Sequence, residues 1–273
     1  MHSKGIVIKI MNNVYIQKFI SYRHLLIELV KKGIKLKYRR SYLGILWSLI
    51  EPLLTMAVLT VVFTKLLGRD AEGLKIPFAL YILIGRLMFS YFSSGTKTAM
   101  RSIRANAPMI KKVYVPKYLY PLSSTLYTYI IFVISLIDLF AVAIIMGVKP
   151  SLYMFEALIP LILIFFLTFG IGMILSTIDV FFRDVEYIWD VLSMLIMYTS
   201  AIFYTTKRFE GTLMINVFKF NPLYRLIEGF RDALSGQPMH PYGMLYAGLF
   251  SLAVVLFGFF LFYKKQDNFI LHI

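Results

Sequence analysis

Long apolar runs separated by short cationic stretches dominate this chain, and that alternation excludes an ordinary water-soluble fold. The sharpest junction is Lys37–Leu54, KYRRSYLGILWSLIEPLL, where a knot of positive charge runs straight into an apolar stretch. Runs of about 20 apolar residues are what a hydrocarbon core of roughly 30 Å requires. Hydrophobic residues make up 59% of the 273, and the mean hydropathy is +0.74. A soluble domain of this length has no interior large enough for them. The sequence therefore predicts an all-α integral membrane protein. Six transmembrane helices are expected, at about 44–67, 77–96, 119–147, 152–178, 187–205 and 242–263.

Charge sets the orientation. Lys and Arg beside a span stay on the cytoplasmic side, because carrying cations across a bilayer is costly. The segment before the first span holds Lys31, Lys32, Lys35, Lys37, Arg39 and Arg40, among others. The loop after span two holds Lys97, Arg101, Arg104, Lys111, Lys112 and Lys117, and the tail holds Lys264 and Lys265. An even number of spans puts all three on one side, so both termini are expected in the cytoplasm. The net charge of +15 is then juxtamembrane and meets anionic lipid, which leaves no need for a nucleic-acid partner. Residues 1–43 are expected as a cytoplasmic N-terminal segment, 44–263 as the transmembrane domain and 264–273 as a cytoplasmic tail. The first span is expected to serve as an uncleaved signal.

Two segments are amphipathic without being spans. In residues 18–37, Phe19, Tyr22, Leu26, Leu29 and Val30 share one face while cations crowd the rest. That division suits a helix lying in the membrane interface, or one packed on protein. The connection 206–241 is moderately apolar but broken by Gly and Pro. Asn221 is placed to cap a helix beginning at Pro222, and Gly236 to end it, with Leu223, Leu226, Ile227, Phe230 and Leu234 on one face. A shorter arm at 212–220 would make this a re-entrant external helical hairpin between spans five and six, or a lid lying flat.

Catalytic signatures are absent. There is no Cys, the four His are scattered, and no HExxH or GxSxG occurs. The nearest approach to a phosphate-binding loop, Gly95-Thr96-Lys97-Thr98, lacks the upstream glycine. No cofactor or metal is expected in this chain, and any ATP and Mg would belong to another subunit.

Ionisable residues in or near spans are the candidate functional groups, since a charge in lipid needs a partner or water. Arg86 and Asp138 lie at similar depth in spans two and three and are expected to pair. Glu51 precedes Pro52, where the helix bends, and borders a polar cavity or serves as a structural carboxylate. Glu156 stands at the start of span four. Asp179, Arg183, Glu186 and Asp190 are spaced for one helical face, with Arg183 bridging its acidic neighbours. This group is read as a docking element for a cytoplasmic partner. Aromatic residues near the inner interface, including Tyr42, Trp47, Tyr120, Tyr187 and Trp189, suit an interfacial belt. Tyr198, Phe203 and Tyr204 are candidates to line a sugar path.

Three blocks, KYRRSYLGILWSLIEPLL, IDVFFRDVEYIWDVLSMLIMYTSAIFY (178–204) and NPLYRLIEGFRDAL (221–234), resemble the membrane subunit of polysaccharide-exporting ATP-binding-cassette transporters. The resemblance runs along nearly the whole chain. Glu51-Pro52 stands where that family usually has Asn-Pro, and Arg86 stands in a span that is usually apolar there. The resemblance implies a multi-pass protein of the bacterial cytoplasmic (inner) membrane, not itself an enzyme. Its partners would be a second copy of this chain, two copies of a nucleotide-binding ATPase subunit, and a polyprenyl-pyrophosphate-linked polysaccharide of the O-antigen or teichoic-acid type. It implies a coupling helix within 98–117, with Arg101, Arg104, Lys111 and Lys112 facing the ATPase. A second coupling turn would fall at 179–186, around Arg183 and Asp184. Helices of an external gate would occupy 206–240, with Asn221, Pro222, Arg225 and Arg231, and a channel would run along the dimer axis. Arg39 and Arg40 are expected to attract the substrate's pyrophosphate at the inner rim, beside Tyr42, Trp47 and Glu51. The rival expectations are an integral-membrane enzyme acting on polyprenyl-linked sugars and a self-sufficient secondary transporter. The first needs convergent acid and base groups and the second needs repeated halves; the sequence contains neither pattern.

Overall fold

The structure is a computed structural model that describes residues 22–66, 74, 76–209 and 211–273. Residues 18–21 of the expected interface helix, and most of the connection 67–75, lie outside the described residues. The described residues hold helices and no strand. In chain order they are α1 (Arg23–Lys37), α2 (Trp47–Val61), α3 (Phe78–Ala105), α4 (Ala107–Ile110), α5 (Leu119–Ile145), α6 (Leu158–Phe181), α7 (Val185–Tyr198), α8 (Met214–Phe220), α9 (Pro222–Leu234), α10 (Pro241–Lys265) and α11 (Phe269–His272).

Five helical segments are long and apolar enough to cross a membrane: Gly44–Thr64, Phe78–Ala105, Leu119–Ile145, Leu152–Phe181 and Pro241–His272. The expected fifth span corresponds to α7, which has 14 residues. At about 1.5 Å per residue it reaches roughly 21 Å, short of a hydrocarbon core. The expected second span corresponds to α3, which continues without a break to Ala105 and so takes Lys97, Arg101 and Arg104 into the helix.

Helix α3 is the centre of the bundle, buried along most of its length between α5, α6 and the outer helices. Helices α6 and α10 touch backbone to backbone. A Cβ on Gly170 would come within 2.7 Å of the Val255 nitrogen, and one on Gly258 within 2.8 Å of the Gly170 carbonyl. Close approach of this kind is how helices pack where lipid removes the hydrophobic drive between them. Helix α1 docks its apolar face on protein: Leu29 is buried in a cluster with Val115 and Leu119, and Gly33 lies against the Tyr127 ring.

One end of the bundle gathers the start of α5, the end of α6 and the C-terminal helices. Lys117 Nζ donates to the Gln266 carbonyl at 2.5 Å, and Phe181 stacks edge-on with His272. Gly236 lies beside Ser151, before α6, so the chain from α7 to α9 returns to the opposite end before α10 begins. Helix α9 starts as the sequence predicts. The Asn221 side chain accepts from the Leu223 amide at 2.9 Å, Pro222 is the first helical residue, and Gly236 follows the helix with φ +74°. The five apolar residues of its predicted face are all buried.

Pro52 leaves a signature in the packing. Lacking an N–H, it cannot bond the Ser48 carbonyl four residues earlier. Ser135 Oγ of α5 donates to that carbonyl at 2.8 Å, which ties α2 to α5 one turn before Pro52.

Candidate functional site

Between α1, α2, α3 and α5 lies a cavity of about 120 Å³ that is polar for its depth. Lys37 closes the end of α1, and Trp47, Ser48, Glu51 and Thr55 come from α2. Helix α3 contributes Arg86, Ser90 and Ser94, and α5 contributes Ser135. Arg86 therefore faces Glu51 and not Asp138. Arg86 and Asp138 form no ion pair, and Asp138 is buried on α5 with Oδ2 free of any hydrogen bond among the described residues. The expected pairing is corrected on this point. Equal depth did not imply equal azimuth, and α2 with its polar bend occupies the face that Arg86 presents. At the mouth, crowding by neighbouring atoms pushes the Lys37 ammonium below the usual lysine range although it keeps exposed surface, and the Glu51 carboxylate pulls it back up.

The cavity continues along α3 into an open groove floored by Arg86, Ser90, Ser93, Ser94 and Lys97. Arg86, Ser90, Ser94, Lys97 and Arg101 are spaced by four, four, three and four residues, so they form one stripe along the helix. It runs for about 22 Å toward the basic end. The spacing was available in the sequence, but the three serines resemble ordinary span residues until Arg86 is placed beside them.

At the end of that stripe the cations meet acids. Lys97 Nζ lies 2.8 Å from Asp190 Oδ1, and Arg101 Nη2 lies 2.7 Å from Glu186 Oε2. Arg104 grips Asp179 through two hydrogen bonds of 2.6 and 2.9 Å and also reaches Glu186. The Asp179 side chain is fully buried. The sequence placed Asp179, Arg183, Glu186 and Asp190 on one helical face with Arg183 as the bridge. That expectation fails because Phe182 is extended (φ −139°, ψ 98°), which separates α6 from α7. The acids turn toward α3, and Arg101 and Arg104 replace Arg183 as their partners. Arg183 and Asp184 are left exposed at the turn, next to exposed Phe182 and Tyr187. Lys111, Lys112 and Tyr114 are exposed just beyond α4. Trp189 is not interfacial but buried, its indole N–H donating to Thr96 Oγ1 at 3.0 Å. Tyr120 is also fully buried.

Arg39, Arg40 and Tyr42 are exposed between α1 and α2. At the opposite end, Arg231 is buried rather than displayed. Its guanidinium lies 3.4 Å from the Tyr81 ring centroid and donates to the Ala201 and Tyr81 carbonyls at 3.1 and 3.0 Å. The Tyr81 hydroxyl donates to the Ala201 and Tyr204 carbonyls at 3.1 and 2.9 Å. This clamp holds the turn after α7, where Ala201 has φ 47°. Asn221 adds bonds to Thr199 and Ser200, and Arg225 pairs with Glu228 at 3.3 Å. Phe203 stacks on Phe63, and the Tyr204 hydroxyl donates to the Tyr198 carbonyl, so of the expected sugar-path aromatics Tyr198 keeps the largest open face. Glu156 accepts from the Met239 amide at 3.2 Å and so caps the approach to α10.

A helical membrane protein with a charged end and a polar stripe leading from it along one helix has the form of a transport subunit. Comparison with known proteins gives the family. Residues 24–235 match the ABC-2 type transporter membrane family, and the chain belongs to it. The chain is 31% identical over 250 residues to an O-antigen export system permease protein, RfbA, of Klebsiella pneumoniae, covering 90% of this chain and 93% of that one. It is 26% identical to the capsule polysaccharide export inner-membrane protein CtrC of Neisseria meningitidis, covering 86% and 89%. It is 22% identical to the polysialic acid transport protein KpsM of Escherichia coli, covering 86% and 91%.

Proposed function

We propose that this chain is the transmembrane subunit of an ATP-driven exporter that moves polyprenyl-pyrophosphate-linked polysaccharide, of the O-antigen, capsule or teichoic-acid type, from the inner leaflet to the outer side. The observation that carries this reading is the polar stripe of α3, which borders a cavity that Lys37 and Tyr38 also line, just before exposed Arg39, Arg40 and Tyr42 in the chain. Apolar walls pass a lipid but hold back a glycan, whose hydroxyls need water or polar side chains along the way. Arg39 and Arg40 supply planar donors for the pyrophosphate.

In this reading α7 crosses as the fifth of six spans, completed by residues 199–205. The charge rule supports it, because Arg183 before α7 and Lys264 and Lys265 at the end of α10 belong on one side. Helices α8 and α9 form the re-entrant hairpin: Asn221 and Pro222 share a pocket with Leu167 of α6 and Phe250 of α10, well inside both helices. Two copies meet across the exposed apolar faces of α2 (Leu54, Val58, Val61) and α7 (Val191, Leu195), leaving the channel at their axis. A separate nucleotide-binding subunit, which holds the ATP and Mg, docks on Lys111, Lys112, Arg183 and Asp184. Because Arg101 and Arg104 join both contact elements, a push on either moves α3, α6 and α7 together.

The test is genetic and chemical. Deleting the gene should remove surface polysaccharide and leave lipid-linked polymer inside the cell. The wild-type chain should restore export only alongside an ATPase subunit able to hydrolyse ATP. Unchanged surface polysaccharide in the deletion strain would refute the reading.

A further inference from the structure

Arg86 is half-buried on α3, makes no hydrogen bond or ion pair with any described residue, and borders both the cavity and the groove. An arginine at such depth is costly without an anion or water. The acid that shares the cavity, Glu51, forms no ion pair with Arg86, and it faces two cations, Arg86 and Lys37. Further along the stripe Lys97 and Arg101 are already neutralised by Asp190 and Glu186. One carboxylate set against two cations leaves net positive charge at Arg86 and Lys37.

The serines add a second observation. Hydroxyls inside helices usually bond back to a carbonyl one turn earlier. Thr96, Thr98 and Thr128 do so here. Among the described residues Ser90, Ser93 and Ser94 donate to nothing, and their hydroxyls line the groove. A neutral glycan would be served by hydroxyls alone. Three free hydroxyls leading to an unpaired guanidinium suit a hydroxyl-rich chain that also carries negative charge. The cavity holds the volume of about four water molecules, room for one anionic group while the sugar ring stays in the groove.

We infer that the polymer this chain exports is acidic, and that Arg86, assisted by Lys37, receives a carboxylate or phosphate-ester substituent of the sugar chain while Ser90 and Ser94 bond its hydroxyls. The inference rests on the exporter reading above. Glu51 competes for Arg86 when the site is empty, which keeps each contact with the polymer brief.

The experiment uses the full exporter in cells deleted for the gene and complemented with wild type, Arg86→Lys, Arg86→Gln, or Ser90→Ala with Ser94→Ala. Exported and retained polymer are quantified, and the purified polymer is assayed for uronate and phosphate. The inference predicts an acidic polymer. Export should fall about tenfold in Arg86→Gln, the scale of one lost charge-assisted contact, and recover in large part in Arg86→Lys. The serine pair should lower export severalfold at unchanged membrane abundance, and it decides the matter if Arg86→Gln fails to accumulate. A neutral polymer overturns the inference, and if its export still needs Arg86, the cation serves the pyrophosphate of the lipid instead. An acidic polymer exported normally by both variants overturns it as well. Failure of wild type to restore any export strikes the exporter reading itself, a different result from each of these.

Discussion

Replacing Arg104 with Ala strands a carboxylate. Asp179 is fully buried and takes two hydrogen bonds from the Arg104 guanidinium, at 2.6 and 2.9 Å. Removing one partner of a buried pair costs about 3–5 kcal/mol, because the other charge is left without compensation. Glu186 adds little to the loss, since it keeps Arg101 at 2.7 Å. Arg104 retains a quarter of its side-chain exposure, so water screens part of the effect and the lower end, about 3 kcal/mol, is expected. For a chain of this size each kcal/mol moves the melting temperature by about 2–3 °C, so Arg104→Ala should melt roughly 6–9 °C below wild type. Thermal unfolding of the purified protein in detergent, followed by tryptophan fluorescence, reads this directly, and Trp189 sits on the adjoining face of α7. The double variant Arg104→Met with Asp179→Leu removes both charges and should regain most of the loss. A drop below about 2 °C in the single variant, or a double variant no better than the single, would refute the reasoning.

Gly170→Ala should destabilise the bundle by several kcal/mol, about 3, since its Cβ would press on the Val255 backbone, whereas Gly248→Ala meets only Leu163 side-chain atoms at 3.7 Å and should be neutral; paired melting curves check both. Tyr81→Phe loses the hydroxyl proton shared between the Ala201 and Tyr204 carbonyls, a cost of about 1 kcal/mol, and hydrogen exchange in residues 199–205 should speed up while the opposite, basic end is unaffected. Lys111→Glu with Lys112→Glu should leave folding intact but abolish co-purification of the ATPase subunit, measured by affinity pull-down from membranes.

What the sequence disclosed tracks the range of the forces involved. Apolar periodicity is local, so the long helices, the Asn221-Pro222 start of α9 and its buried face were legible. Charge pairing is not local. The spacing of Asp179, Arg183 and Glu186 suggested a self-contained bridge, but the extended Phe182 between them and the arrival of α3 changed every partner. Arg86 and Asp138 were matched by depth alone, and depth says nothing about which way a helix is turned. Arg231 illustrates a third limit. The resemblance implied a residue of an external gate, whereas its partners are backbone carbonyls and a tyrosine ring, which leave no trace in sequence spacing. The carbonyl freed by Pro52 was foreseeable, but its donor, Ser135, lies 87 positions further along the chain.

The account depends most on which ends of the bundle face the cell interior. The chain has no cysteine, so single cysteines can be placed at Lys112, Arg183 and Gln237 and probed with a membrane-impermeant maleimide on intact cells and on inverted vesicles. Labelling of positions 112 and 183 only in inverted vesicles, and of 237 only on intact cells, is the predicted result. Position 237 reacting from the same side as 112 and 183 would mean that α7 does not cross, and would contradict the account.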